Sequence, residues 1–128
     1  MNYYIAKTLT SDFATALQRT LDALKREGFG VISDIDLKKT LWDKLHLEFR
    51  DYRILGACNP ALAHEALRLE DKLGTLLPCN VIVQDMEDGN IEIAAVDPLA
   101  LLQMTGNQHL RQLAEQVQAK MIKVIDEL

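Results

Sequence analysis

Leu77-Pro78-Cys79-Asn80-Val81-Ile82-Val83-Gln84, then Glu87-Asp88-Gly89-Asn90, then Ile91 to Val96, is the stretch that decides the fold. Two runs rich in β-branched residues flank a glycine-containing turn, the signature of a hairpin. The sheet is therefore antiparallel at this point. Pro78 has no amide hydrogen to give to a ladder, so it belongs at the start of its strand or on an edge.

Outward from the hairpin the chain alternates between the two periods. Phe49 to Cys58 reads as the preceding strand and ends at Asn59-Pro60, a helix cap followed by a proline at the first helical position. Leu62, Ala66, Leu69 and Leu73 continue as one helix to Gly74. Nearer the start, Tyr3 to Leu9 is a strand. Ser11-Asp12 then caps a helix carrying Phe13, Ala16, Leu17, Leu21 and Leu24, closed by Lys25, Arg26 and a left-handed Gly28. Phe29 to Leu37 is the next strand, with Val31, Ser33, Ile35 and Leu37 expected on one face and Ile32, Asp34 and Asp36 on the other. Residues 38–46 read as a short helix around Leu41, Trp42 and Leu45. After the hairpin, Asp97-Pro98 repeats the cap-and-proline device. The chain then closes on one long amphipathic helix with Leu110, Leu113, Val117, Met121, Val124 and Leu128 on a stripe. The expected fold is a single α+β domain over 1–128: one antiparallel sheet of about five strands backed by long helices, with two further helices inserted.

The 128 residues suit one domain, and 48% hydrophobic with 26% charged residues is the balance of a folded globular chain. A net charge of -5 argues against a nucleic-acid footprint and against adsorption to an anionic membrane. Met1-Asn2-Tyr3-Tyr4-Ile5-Ala6-Lys7 lacks a basic region followed by an apolar run, so no secretory signal is expected. The longest apolar stretch, Leu99 to Met104, is far short of the ~20 residues that span a bilayer. Two cysteines do not make a secreted disulfide scaffold, and the expected location is the cytoplasm.

Chemistry concentrates near those cysteines. Cys58 stands immediately before a helix cap, where free N–H groups and the helix dipole favour an anion and hence a thiolate. The plainer reading is a small buried residue at a strand end. Cys79 follows Pro78 at a strand start, and Leu77-Pro78 is a candidate cis bond. If strands three and four are antiparallel neighbours, Cys58 and Cys79 come to the same edge of the sheet. If the intervening helix is a parallel crossover, they stand roughly 20 Å apart. The hairpin favours the first arrangement. The pair is then a dithiol, a soft-metal site or the lining of a pocket.

His64, five residues after Asn59, is a candidate base or third ligand. The spacing of Cys58, Cys79 and His64 matches no zinc pattern, so they are weak metal candidates. His46 and His109 have no supporting pattern, and Asp97 reads as a cap. Asp34 and Asp36 read as a solvated polar face. Nothing resembles a phosphate loop, a Ser-His-Asp arrangement or a dinucleotide fingerprint.

Taken together, Gly28-Phe29-Gly30-Val31, Ile54-Leu55-Gly56-Ala57-Cys58-Asn59-Pro60, Ala63, Ala66-Leu67, Glu70, Gly74, Leu77-Pro78-Cys79-Asn80-Val81 and Asp97-Pro98 resemble domain-of-unknown-function family 302 over almost the whole chain. Thr75 departs from the pattern, where a more apolar residue is usual. The resemblance implies a TATA-binding-protein-like β-α-β4-α sheet with added helices, and a homodimer. It implies no activity and names no cofactor. The motif residues it carries over are Gly56, Cys58, Asn59, Pro60, Pro78, Cys79, Asn80 and Asp97. Shared fold is no ground for DNA binding.

Three functions follow as expectations. The first is a small-ligand-binding or sensor-like protein with a pocket at Cys58, Asn59, His64, Cys79 and Asn80. The second is a thiol redox protein or thiol-dependent enzyme, with Cys58 as nucleophile and Cys79 resolving. The third is soft-metal or haem binding by the same thiols.

Overall fold

A computed structural model describes residues 2–128. Its elements, in chain order, are β1 (Tyr4–Thr10), α1 (Phe13–Arg26), β2 (Gly30–Asp36), α2 (Leu37–Leu45), β3 (Tyr52–Cys58), α3 (Pro60–Leu69), a 3-10 turn (Asp71–Leu76), β4 (Cys79–Asp85), β5 (Asn90–Val96), α4 (Pro98–Thr105), a second 3-10 turn (Gln108–Leu110) and α5 (Arg111–Asp126). The five strands form one sheet in the order β1-β5-β4-β3-β2, and all four pairings are antiparallel.

The caps form where the sequence places them. Asp12 accepts the Thr15 amide at 2.8 Å, and Asn59 accepts that of Leu62 at 3.2 Å. At the end of α1, Gly28 has φ +83°, the Phe29 amide reaches the Leu24 carbonyl at 2.9 Å, and that of Gly28 reaches Lys25 at 3.1 Å. This is the paired-bond ending that a left-handed glycine permits. Phe29 and Leu24 then bury together.

The core lies between one sheet face and the helices α1 and α5. Leu55, Val81, Val83, Ile91, Ile93 and Ala95 meet Ala16, Leu24, Met121 and Val124 there. A smaller cluster of Leu73, Leu102 and Leu110 gathers the first 3-10 turn, α4 and the second 3-10 turn. On the opposite sheet face the register aligns Ala6, Ala94, Ile82, Ile54 and Ile35 as one apolar row across all five strands.

Three details correct the sequence reading. In β2 the pairing slips between Val31 and Ser33, a bulge that leaves Ile32 without a partner. Val31 therefore faces the helices while Ser33 and Ile35 face the other way, so the simple alternation fails. The helix after Pro60 stops at Leu69 rather than near Gly74, because Glu70 is extended (φ -147°) and the next residues form a 3-10 turn that buries Leu73. The closing helix is two, α4 and α5. Gly106 takes φ +66°, ends α4 and turns the chain.

Candidate functional site

The ends of β3 and β4, with α3, the first 3-10 turn, α4 and α5, line a cavity of about 290 Å³ that opens to solvent on one side. The cavity lies at the junction of the main core and the smaller cluster. Its floor is Ala57, Cys79 and Phe29, and Leu102 and Leu110 form part of the far wall.

Helix α3 supplies the outer wall through Leu62, Ala63, Ala66 and Leu67, yet none of its residues is fully buried. The reason is geometric. Positions 62, 63, 66 and 67 share one face at helical spacing, and that face looks onto the cavity. Three lining residues are exposed: Ile32, aimed outward by the β2 bulge (67% exposed), Leu67 (38%) and Gly74.

Both cysteines line this cavity and both are free thiols. Ala57 pairs with Cys79 in the β3–β4 ladder, which brings Cys58 beside it. Cys79 is buried and Cys58 half-buried. Burial, reinforced by the neighbouring Cys58, pushes the Cys79 thiol up to about 11. It is a neutral S–H at physiological pH. A nucleophile or a metal ligand is a thiolate, so the environment of Cys79 opposes both roles.

Asn59 also lines the cavity, and its Oδ1 is occupied as the α3 cap. His64 and Asn80 are not part of the lining. His64 is exposed on α3, outside the 62-63-66-67 face. Asn80 points to the other sheet face, one residue out of phase with Cys79, and belongs to a second, more polar open pocket of about 560 Å³ there, with Ile82, Ala94, Tyr4 and Tyr52. Among the described residues no three His, Cys, Asp or Glu side chains converge as a metal site requires.

The motif residues outside the cavity have structural work. A Cβ at Gly56 would stand 2.7 Å from Pro78 Cγ and collide with Ser33 Oγ, so only glycine fits between β2 and the Leu77-Pro78 cis bond. Asp97 accepts the Leu99 amide at 3.0 Å and the Gln118 side chain at 3.1 Å, tying the start of α4 to α5. Arg53 bonds Asp34 at 2.9 Å, and Asp36 caps α2 through the Lys39 amide at 3.0 Å. Asn107 has a role that local sequence pattern does not assign. Its Oδ1 accepts the His109 amide while its Nδ2 donates to the Leu69 carbonyl at 3.1 Å, fixing the end of α3. The only signal for it is the Gly106-Asn107 pair, a turn signature inside an apolar period.

A protein-family model described as Domain of unknown function DUF302 matches residues 5–128. The crystal structure of an uncharacterized conserved DUF302 protein from Bacillus stearothermophilus is similar over 98% of this chain and 97% of its own, at 26% identity and a TM-score of 0.89. No curated protein matches. Among the described residues no helix is long and apolar enough to cross a membrane.

Proposed function

The chain belongs to the DUF302 family, and from that premise we propose that it is a small-ligand-binding protein whose site is the cavity at Cys58, Asn59 and Cys79. The observation that carries this reading is the cavity itself: about 290 Å³ of space in a 128-residue chain, walled by a helix with no buried residue. Binding sites are concave and mostly apolar with few polar groups, and this one fits that description. The thiol-redox and soft-metal readings rank below it because the Cys79 thiol is held protonated.

1-Naphthylamine, a neutral ten-carbon fused bicyclic whose fluorescence reports apolar surroundings, tests the site. We expect saturable binding, lost in Ala66→Trp, whose indole fills the cavity. A thermal melt establishes that the variant folds, and Ala63→Phe is the second choice if it does not. Absence of saturable binding in the native protein, or equal binding by a folded Ala66→Trp, sinks the reading.

A second reading concerns assembly. We propose a homodimer meeting on the sheet face opposite α1 and α5. The apolar row Ala6, Ala94, Ile82, Ile54 and Ile35 supports it. Five strands of seven residues make a face roughly 24 Å by 23 Å. Its footprint of about 550 Å² is roughly two-thirds of the ~800 Å² per partner of a standard interface. Sedimentation equilibrium reads the solution mass directly. Two free thiols suit a reducing compartment, and we place the protein in the cytoplasm.

A further inference from the structure

The geometry points to a specific class of ligand for this cavity: an uncharged, largely hydrocarbon molecule of roughly ten to twelve carbons, with no more than one hydroxyl or carbonyl oxygen. The inference rests on the ligand-binding reading above and narrows it.

Size comes first. A cavity of about 150 Å³ lined by Leu, Ile and Phe stays dry and takes a benzene ring. This one, at about 290 Å³, holds about twice that. A ten-to-twelve-carbon chain or a fused bicyclic fits, whereas a sugar nucleotide or haem does not.

Charge comes second. None of the residues lining the cavity is Asp, Glu, Lys, Arg or His. An ionised group carried inside would lose its hydration with nothing to replace it, a cost that excludes it. The polar side chains on the wall are Cys58, Cys79 and Asn59. Thiols are weak hydrogen-bond partners. The Asn59 carboxamide spends its oxygen on the Leu62 amide, and its nitrogen makes no side-chain hydrogen bond among the described residues. Asn59 is therefore the one lining side chain with an N–H to offer, enough for a single acceptor oxygen.

Access comes third. Ile32, Leu67 and Gly74 belong to the lining and are exposed, which puts the mouth along the β2 bulge, α3 and the first 3-10 turn. A bulge that re-aims one apolar side chain to a cavity rim is a feature such irregularities serve. Cys58, half-buried on the same wall, is the natural reporter of occupancy.

The experiment displaces bound 1-naphthylamine with 1-decanol and, separately, with decanoate at pH 8, where the carboxylate is ionised. Both carry the same chain. We expect decanol to displace the probe at a concentration at least about tenfold lower than decanoate, since only the acid must strip its charge. Decanol should also slow alkylation of Cys58 by iodoacetamide several-fold. Asn59→Asp keeps the helix cap but removes the N–H, and it should weaken decanol about fivefold or more with little change in melting temperature.

Equal displacement by the two ligands, with both abolished in Ala66→Trp, overturns the neutral class while leaving the site standing. Displacement by neither overturns the assigned size. An unchanged decanol affinity in Asn59→Asp overturns the single-oxygen contact. Failure of the probe itself to bind overturns the underlying reading and this one with it.

Discussion

At the scale of single residues the clearest consequence belongs to Cys79. Its proton is held more tightly in the folded chain, at about 11, than at the ordinary 9.0, because the cavity floor cannot solvate a thiolate. The stabilisation this gives is complete below about pH 9 and lost as pH rises through about 11. Two units correspond to on the order of 2–3 kcal/mol. Guanidinium unfolding between pH 8.5 and 11 should therefore show a steeper loss of stability for the native chain than for Cys79→Ala. Parallel curves would mean that the thiol is not held in this way. The sequence favoured a meeting of Cys58 and Cys79, because the hairpin after β4 pointed to an antiparallel sheet, and the β3–β4 pairing brings them together. It did not reveal which side chains join them. Asn80 follows Cys79 directly and so falls on the other face, and His64 sits one position off the inward face of α3.

At the scale of elements, strands and caps were legible and interruptions were not. Leu69 and Leu73 are in helical register, yet the chain leaves the helix between them so that Leu73 can reach Leu102 and Leu110. That is a tertiary demand, invisible to local periodicity. The β2 bulge is of the same kind, since Val31-Ile32-Ser33 carries no glycine to announce it. Asn107 fastens α3 where it ends, through the Leu69 carbonyl and the Glu70 carboxylate. Asn107→Ala removes these bonds together with the cap on His109, for an expected loss of about 1–2 kcal/mol. The loss should be local: hydrogen exchange should quicken in α3 and not in α1. If α3 amides exchange as in the native chain, the wall of the cavity is held by something else.

At the scale of the molecule, the sheet separates two surfaces with different work. One face carries the helices and the core, with the cavity at its rim; the other carries the apolar row. If two copies meet on that row, Ile82→Glu places a charge at its centre and should leave monomers while the probe still binds. Sedimentation equilibrium and probe fluorescence on one sample decide this. An Ile82→Glu dimer as tight as the native one moves the interface elsewhere. The five-stranded sheet was readable from the hairpin outward. The order of its strands was not, because nothing local in Tyr4–Thr10 says that its partner is Asn90–Val96 rather than a neighbour in sequence. That pairing also has a consequence in time. Strands β2 to β5 each join the next one along the chain, so they can assemble as they emerge from the ribosome, whereas β1 has no partner until Val96 has been made. At about 5–20 residues per second this leaves the first strand waiting roughly 4 to 17 s, the interval in which a nascent chain of this topology most needs shelter from its neighbours on the same message.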